Sequence, residues 1–559
     1  MTFKDYKYKR PDKDAYSKQM EMAANKVRLA SSSDEQIEIA NEIQNLNLAV
    51  ATMENLCYIR YTSNTEDPFY KNEQDFFDTF SPVVSEKTML FYKEILASQF
   101  KNELVERWGK KAFEEMEMTV KSVSPETTPL MEAEAALSNS YTQIMASAKI
   151  DFDGKTVNLA QLGKYKVSSD SNMRRKAFQV EGEYYVEHSD ELDKIYRQLV
   201  ENRSKQAELL GFSSYTEFSY TNLQRVGYDR KDIETFRESV VRDIVPVVNI
   251  IKQNQAKRIG KDKIILSDNG YLFPDGNPTP KGSPDHLLDV ATRMYSEMSS
   301  DTKEFIEFMR ERELFDLVAA EGKALGGYCT EIADYASPFI FSNFNGTSGD
   351  VDVLTHEAGH AFNSYVNRHV REFGQGHYGM EIAETHSMSM EFFAEPWFRL
   401  FFEQDTHKYR QLHMEQALDF IPYGCMVDEF QHYVYDNPTA KDSDRNTKWL
   451  ELESIYRPYL DLDKIPHYKD GKGWQRQSHI YTSPFYYIDY CLAQTMAIRM
   501  YMMMCENREN AWEKYMYFIK NSGNKNFTQL IDETGMISPF KKDSLKDIGE
   551  FVVKWLRAV

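Results

Sequence analysis

The spacing of hydrophobic and polar residues along the chain is typical of α-helix over most of its length. Similar patterns occur in the segments DEQIEIANEIQNLNLAVATMENLCYI (34–59), EKTMLFYKEILASQF (86–100) and SDELDKIYRQLVENRSKQAELLGF (189–212). In the first segment, aliphatic residues recur near the 3.6-residue period of a helix, at Ile37, Ile39, Ile43, Leu46, Leu48 and Val50. We therefore predict a mainly α-helical protein.

Two stretches interrupt this helical pattern. Residues 267–285, SDNGYLFPDGNPTPKGSPD, are rich in glycine and proline and are predicted to form a turn-rich loop. Residues 326–350, GGYCTEIADYASPFIFSNFNGTSGD, combine aromatic and β-branched residues with Pro338 and an Asn-Gly pair, which is strand and turn chemistry. We predict a small β-sheet at this point, directly before the next helix.

The helix after the predicted sheet contains the sequence VDVLTHEAGHAF (351–362). His356 and His360 are four residues apart, so on a helix they lie roughly 6 Å apart on one face. Both imidazoles can then reach one metal ion, and Glu357 projects beside it. Gly359 lies inside this helix, where glycine costs about 1 kcal/mol relative to alanine. We therefore expect another element to pack closely against Gly359.

A catalytic zinc site needs a third protein ligand and one open position. The segment HYGMEIAETHSMSMEFFAEPWF (377–398) is predicted to form a helix that supplies this ligand. The residues alone offer four candidates, Glu381, Glu384, His386 and Glu391, and of these His386 is better explained as a packed or exposed histidine. Since Glu384 and Glu391 are two turns apart on one face, one of them can bind the metal while the other orients an imidazole.

Composition and charge restrict the classes of partner. A chain of 559 residues is expected to contain several packed subdomains. The net charge of -20 argues against a nucleic-acid partner. A charged N-terminus and the lack of any run of about 18 apolar residues predict no signal peptide and no membrane association. Five scattered cysteines without CxxC spacing are expected to be free thiols, which predicts a cytoplasmic protein.

Four motifs occur along the C-terminal part of the chain in the order found in one known family. They are GGYC (326–329) with PFIFSNF (338–344), HEAGHA (356–361), GMEIAET (379–385) and HIYTSPFYYIDY (479–490). Together they resemble the oligoendopeptidase F and thimet oligopeptidase family of zinc metallopeptidases. The N-terminal third is similar to this family only in its helical character.

The resemblance implies a metal site and a general base. Glu384 matches the third zinc ligand of the family, so one Zn²⁺ per chain is expected on His356, His360 and Glu384. Glu357 is expected to act as the general base toward a zinc-activated water. Zinc with two neutral imidazoles and one carboxylate keeps a net positive charge, which favours this chemistry.

The resemblance also implies a group that stabilises the tetrahedral oxyanion. His479 and one tyrosine hydroxyl are expected to donate hydrogen bonds to it. The position of the motif does not distinguish between Tyr486, Tyr487 and Tyr490, so all three remain candidates. At the level of the whole chain, the family implies an N-terminal helical region over residues 1–165 and a catalytic region over residues 166–559, with two helical halves enclosing a deep active-site cleft.

We therefore predict a zinc metalloendopeptidase that hydrolyses internal bonds of short unfolded peptides. The strand ASPFIFSNF (336–344) is expected to bind the substrate main chain by edge addition. Two alternatives remain open. A zinc carboxypeptidase would need a cation for the free carboxylate of its substrate, and Arg476 is close to His479 in the sequence. A helical binding or scaffold protein could carry an inactive HEAGH motif. The sequence does not predict the oligomeric state.

Overall fold

A computed structural model describes residues 1–558, and this part of the chain is mainly α-helical, as predicted. The N-terminal region contains α1 Lys13–Leu29, α2 Ser33–Ser63, α3 Pro68–Leu96, α4 Lys101–Trp108 and α5 Lys110–Ser122. The next region contains α6 Thr128–Ala146, β1 Ile150–Phe152, β2 Lys155–Val157, α7 Gly163–Lys166, α8 Ser171–Leu209, α9 Tyr215–Asn222, α10 Arg230–Ser239 and α11 Val245–Arg258.

The second half of the chain adds the remaining helices and a second sheet. Its first elements are α12 Pro284–Met298, α13 Ser300–Glu311, β3 Phe315–Val318, β4 Tyr328–Ile332, β5 Ser337–Phe344, α14 Gly349–Asn367 and α15 Met380–Phe393. They are followed by α16 Phe398–Phe402, α17 Thr406–Asp436, α18 Asp442–Tyr456, α19 Ser478–Thr482, α20 Tyr487–Glu506, α21 Arg508–Asn521, α22 Phe527–Thr534 and α23 Lys546–Ala558.

Contacts divide the chain into two compact units. Unit 1 consists of Met1–Val123, Thr279–Thr406 and Met496–Met536. Unit 2 consists of Ser124–Pro278, His407–Thr495 and Ile537–Val559. The boundary that the sequence predicts at residue 165 stays a prediction. Among residues 1–558, no helix combines the length and the apolar character that a bilayer crossing requires, and no disulfide joins any of the five cysteines.

The N-terminal helices of unit 1 share one hydrophobic core. Helix α2 buries Ile39, Ile43 and Val50 on one face, which agrees with the aliphatic period of this segment. Aromatic side chains of α3, among them Phe77 and Phe80, fill the space between these helices. Their full burial removes large apolar surfaces from water, which is the main favourable contribution to folding.

The second sheet lies before α14, as the sequence predicts. Its strand order is β3-β5-β4, so β5 is the central strand. It pairs with β3 in parallel and with β4 in antiparallel register, with Cys329 opposite Ile340. The expectation that β5 binds substrate by edge addition is therefore wrong, because both of its edges are already paired. The edge strands of this sheet are β3 and β4, and β4 is the one that pairs with β5 in antiparallel register.

The turn-rich loop is also present. A short 3₁₀ turn spans Leu266–Asp268. Residues 269–283 then form neither helix nor strand, and α12 begins at Pro284. Asn277 stabilises this loop, because its side-chain oxygen accepts a hydrogen bond from the Leu272 amide while its side-chain nitrogen donates to the Gly270 carbonyl. The high content of glycine and proline is thus explained by an irregular backbone.

Candidate active site

Helix α14 carries both histidines of the HEAGH motif in unit 1. Their ring centroids are 5.0 Å apart and the rings are nearly perpendicular. The opposite face of the helix is apolar, and Ala358, Ala361 and Phe362 are buried on it. Packing of this face fixes the rotation of the helix about its axis, so His356 and His360 project from the same side and remain about one fifth exposed.

Helix α15 brings a carboxylate to these two imidazoles. One Glu384 oxygen, Oε2, lies 3.2 Å from His356 Nε2 and 3.6 Å from His360 Nε2. Ligand atoms of the three residues all lie within 4.8 Å of one another. The two other glutamates that the sequence left open, Glu381 and Glu391, also lie on α15, but this group of possible metal ligands does not include them.

Gly359 explains how α14 and α15 approach each other so closely. A Cβ atom at this position would lie 2.5 Å from Ser387 Cα and 2.9 Å from the carbonyl oxygen of His386. Real Cβ atoms do not make such short contacts with backbone, so only glycine fits. The expectation that another element packs closely against Gly359 is confirmed, and the contacting residues lie two and three positions after Glu384.

Glu391 orients the first imidazole. Its Oε1 atom lies 2.7 Å from His356 Nδ1, so the Nδ1–H group donates to the carboxylate. A metal ion at this site would then be bound through the lone pair of His356 Nε2, the ring nitrogen that faces Glu384. A carboxylate that accepts a hydrogen bond from Nδ1–H keeps the proton on that nitrogen, so Nε2 is left to bind a metal ion.

The donor set fits a zinc ion. Two imidazole nitrogens and one carboxylate oxygen are a usual ligand set for catalytic zinc. Burial alone would raise the pKa of Glu384, but the neighbouring imidazoles of His356 and His360 outweigh burial and hold its pKa well below the usual range. Glu384 is therefore a carboxylate at neutral pH, which is the form that binds a metal.

Glu357 differs from Glu384 in its electrostatic environment. It lies on α14 directly after His356 and is 7% exposed. Burial raises its pKa, and the imidazoles of His356 and His360 act in the opposite direction. A carboxylate with a raised pKa is a stronger base. Glu357 is therefore suited to accept a proton, whereas Glu384 is suited to bind a metal ion.

The other predicted residues form a second group in unit 2. His479 lies on α19, Tyr486 lies just before α20, and Tyr487 and Tyr490 lie in the first turn of α20. The tyrosine ring centroids are 5.8, 4.8 and 6.0 Å from that of His479, in the order Tyr486, Tyr487, Tyr490. All four side chains are half-buried. The structure thus brings the histidine and the three candidate tyrosines together.

Residues far away in the sequence hold the tyrosine segment in place. Phe485 has a positive φ of 65°, which is unusual for an aromatic residue. Its carbonyl oxygen accepts a hydrogen bond from Arg225 at 2.5 Å, and the same guanidinium pairs with Asp489 at 2.8 Å. The Phe485 amide donates to the side-chain oxygen of Gln431 at 2.9 Å. Sequence reasoning missed Arg225 and Gln431, because no local pattern connects them with the tyrosines.

Replacing Arg225 by methionine is expected to destabilise the protein by about 3 kcal/mol, because Asp489 would lose its buried cationic partner. Urea denaturation measures this change in the free energy of unfolding. Arg230→Met is the matched control, since the ion pair of Arg230 with Asp436 is 2.6 Å long but exposed and should contribute less than about 1 kcal/mol. Equal losses in the two variants would contradict the structural role of Arg225.

Arg476 ends a 3₁₀ turn three residues before His479 and is exposed. Its guanidinium carbon lies 5.4 Å from the centroid of the Tyr468 ring. Within residues 1–558, no carboxylate forms an ion pair with it. Burial alone would raise the pKa of Glu181, and the charge of Arg476 acts against burial, so a carboxylate of the protein already balances part of this charge.

Comparisons with known proteins agree with these observations. Residues 3–123 match the peptidase M3 N-terminal domain, and residues 295–550 match peptidase family M3. The second match covers α14, α15 and the whole segment from His479 to Tyr490. The oligoendopeptidase F homolog of Borreliella burgdorferi is 22% identical over 484 residues, which cover 81% of this chain and 79% of that protein.

Solved structures extend the similarity to the full length. The structure of PZ peptidase A with inhibitor 2 is 42% identical, with a TM-score of 0.95, and the match covers 100% of this chain and 99% of that chain. A putative oligoendopeptidase F from Bacillus anthracis is 42% identical, with a TM-score of 0.90, and the match covers 100% and 98% of the two chains. The chain therefore belongs to peptidase family M3, in its oligoendopeptidase F group.

Proposed function

We propose that this protein is a zinc-dependent oligoendopeptidase that hydrolyses internal bonds of short unfolded peptides. The observation that carries the proposal is the convergence of His356 Nε2, His360 Nε2 and a Glu384 oxygen within 4.8 Å, with Glu357 buried next to them in the chain. Membership of peptidase family M3 supports the same activity.

The ligands of the zinc ion would be His356, His360 and Glu384. The chemistry available from zinc at this position is that of a Lewis acid, which polarises a carbonyl and lowers the pKa of a water molecule. Other residues of the chain hold these ligands in the protonation states that bind a metal ion. Glu391 holds His356 in the required tautomer, and the low pKa of Glu384 keeps its carboxylate ionised.

Glu357 would move the proton during hydrolysis. It takes a proton from the attacking water as the water oxygen bonds to the carbonyl carbon, and it later returns this proton to the leaving amine nitrogen as the C–N bond breaks. Burial raises the pKa of Glu357 toward the range in which a carboxylate can both accept and release a proton.

His479 and one tyrosine would stabilise the oxyanion. Burial lowers the pKa of His479, so its ring is neutral at pH 7 and can donate one N–H hydrogen bond. Burial also raises the pKa of Tyr487 well above its usual value, so its hydroxyl keeps the proton that it would donate. Neutral donors of this kind stabilise a developing negative charge without needing to be reorganised.

The substrate main chain would bind along β4. This strand lies at the edge of its sheet, and the Glu357 carboxylate contributes, after burial, to a raised pKa of the Cys329 thiol on β4. Helix α14, which carries Glu357, packs against β4, so this strand runs close to the general base. An edge of this kind pairs with the backbone of any extended peptide, largely independent of sequence, whereas a folded protein offers few free strands.

Product analysis tests this proposal. Purified enzyme is incubated with a small peptide library, and the products are identified by mass spectrometry. We expect internal cleavage of peptides of about a dozen residues, since such a peptide can pair with the edge of β4 in an extended conformation. Stepwise loss of residues from the C-terminus would instead indicate a carboxypeptidase, the alternative that the exposed Arg476 favours.

Two controls accompany this experiment. Metal analysis of the purified protein distinguishes an enzyme from a binding or scaffold protein, which would hold no stoichiometric zinc. A test protein is also incubated in its folded and unfolded forms. Only the unfolded form should be cut, and efficient cleavage of the folded form would contradict the restriction to unfolded substrates.

The tyrosine that contacts the oxyanion can be identified by substitution with phenylalanine. We expect one of the variants Tyr486→Phe, Tyr487→Phe and Tyr490→Phe to lose roughly 2.7 to 4 kcal/mol of transition-state stabilisation in kcat, the effect of removing one such donor. The other two should lose far less. The measurement is kcat and KM on one quenched fluorescent peptide, and three variants with kcat near that of wild type would contradict an oxyanion role for this cluster.

A further inference from the structure

A side-chain relay lies behind His479 in unit 2. The amide nitrogen Nε2 of Gln477 is 2.9 Å from His479 Nδ1. The amide oxygen Oε1 of the same residue accepts a hydrogen bond from the hydroxyl of Tyr423, also at 2.9 Å. Tyr423 lies on α17, and Gln477 lies between the 3₁₀ turn Gly473–Arg476 and α19. The three side chains are half-buried and form a chain of two hydrogen bonds that ends on the imidazole.

The hydroxyl of Tyr423 fixes the direction of the relay. A primary amide donates through its nitrogen and accepts through its oxygen, so a hydroxyl that donates to Oε1 leaves Nε2 to face the imidazole. The guanidinium of Arg457 lies 4.9 Å from the centroid of the Tyr423 ring. A cation over a phenol ring favours donation by the hydroxyl over acceptance, which strengthens this direction.

We propose that Gln477, oriented by Tyr423, is a positioning residue that holds His479 in the tautomer with its proton on Nε2. Because Nδ1 accepts a hydrogen bond from the amide, the single proton of the neutral ring must be on Nε2. The Nε2–H group then points away from the relay and is available to a ligand. This inference rests on the proposed function of His479 as a donor to the oxyanion, but the tautomer can be measured independently of activity.

The surroundings of His479 support this arrangement. Its ring neighbours are Tyr486, Tyr487 and Tyr490, which carry no charge at neutral pH. Burial lowers the pKa of His479, so the neutral ring is the main form. In that form the choice between two tautomers decides whether the ring donates or accepts at Nε2, and the amide of Gln477 settles that choice.

The first test is spectroscopic. Zinc-loaded protein is labelled with ¹⁵N-histidine, the His479 signals are assigned by their loss in His479→Gln, and the protonation of each ring nitrogen is read from long-range ¹H–¹⁵N correlations. We expect a neutral ring at pH 7 with the proton on Nε2. A proton on Nδ1 in the wild type would overturn the proposal. This result stands whether or not the protein cleaves peptides, so failure of the proposed function is distinguishable from failure of the relay.

The second test inverts the relay. In Gln477→Glu a carboxylate can only accept, so a neutral His479 ring must carry its proton on Nδ1. The comparison is made at a pH where the spectrum of this variant shows a neutral His479 ring. At that pH kcat should fall about 100-fold, which is the smallest loss typical of removing one oxyanion donor. KM should change less than twofold. An inverted tautomer together with wild-type kcat would overturn the positioning role.

Two more variants keep the test decisive if Gln477→Glu does not fold. Tyr423→Phe removes only the hydroxyl that orients the amide, and we expect a decrease in kcat of about 3- to 10-fold, which corresponds to one neutral hydrogen bond. Ser478→Ala is the matched control, because Ser478 is an exposed residue of α19 and should change neither the tautomer nor kcat. Equal effects of Tyr423→Phe and Ser478→Ala would overturn the relay.

Discussion

Replacing Glu357 by glutamine is expected to reduce turnover by about 10² to 10⁴ or more while bound zinc is retained. Glutamine has nearly the same size as glutamate and keeps its hydrogen-bonding capacity, but it cannot accept a proton from water. His356, His360 and Glu384 remain unchanged in this variant, so the metal site should persist. The measurements are kcat on a quenched fluorescent peptide and zinc content by mass spectrometry.

A graded variant makes this test more specific. Glu357→Asp keeps a carboxylate but withdraws it by one methylene, so its turnover should lie between those of wild type and Glu357→Gln. A value of kcat close to wild type in Glu357→Gln, at full zinc content, would remove Glu357 from the proposed mechanism. Loss of zinc in that variant would instead show that Glu357 supports the metal site itself.

Replacing Glu384 by alanine should remove most of the bound zinc and the activity together. The variant loses a negatively charged ligand and leaves two neutral imidazoles, which bind zinc much more weakly. Zinc content after dialysis and the affinity for added Zn²⁺ report the effect. Glu391→Ala is expected to weaken zinc binding 10- to 100-fold, because it removes only the partner that orients His356.

Glu381→Ala is the matched control for these two variants. Glu381 lies in the first turn of the same helix and is also buried, but it is not part of the group formed by His356, His360 and Glu384. It should retain its zinc. Full zinc content in Glu384→Ala together with loss in Glu381→Ala or Glu391→Ala would show that the third ligand is assigned to the wrong glutamate.

The local properties of the chain could be predicted from its sequence. Helix periodicity is visible wherever one face is apolar, so a segment such as α2 is evident from its aliphatic spacing. The spacing of His356 and His360 predicts a shared face for the same geometric reason. Gly359 could be interpreted because glycine inside a helix has an energetic cost that close packing explains.

Properties that depend on how elements pack could not be predicted in the same way. Spacing alone leaves Glu384 and Glu391 equivalent, because they are two turns apart on one face. In the folded chain both approach the imidazoles, and the packing of α15 against Gly359 places Glu384 beside the two Nε2 atoms and Glu391 beside His356 Nδ1. The central position of β5 was missed because strand order in a sheet is set by long-range pairing, and β3 precedes the motif from which the sheet was predicted.

The side chains that support the site could not be predicted from the sequence for a related reason. Arg225 contacts the tyrosine segment across more than 250 intervening residues, and Tyr423 reaches Gln477 across more than 50. Neither residue occurs in a recognisable motif. Since hydrogen bonds of this kind depend on the folded backbone, a single sequence contains no local signal for them.

The division of each compact unit among three separate stretches of chain has a consequence for the order of folding. Helix α21, near the C-terminus, packs against α14 and α15, and the Tyr515 hydroxyl donates to the His386 carbonyl at 2.9 Å. Contacts between such distant residues require the closure of long loops, which slows folding. A chain that is still being synthesised therefore cannot complete unit 1 until residue 536 has been added, and the helices that carry His356 and Glu384 gain their last packing partner only when nearly the whole chain exists.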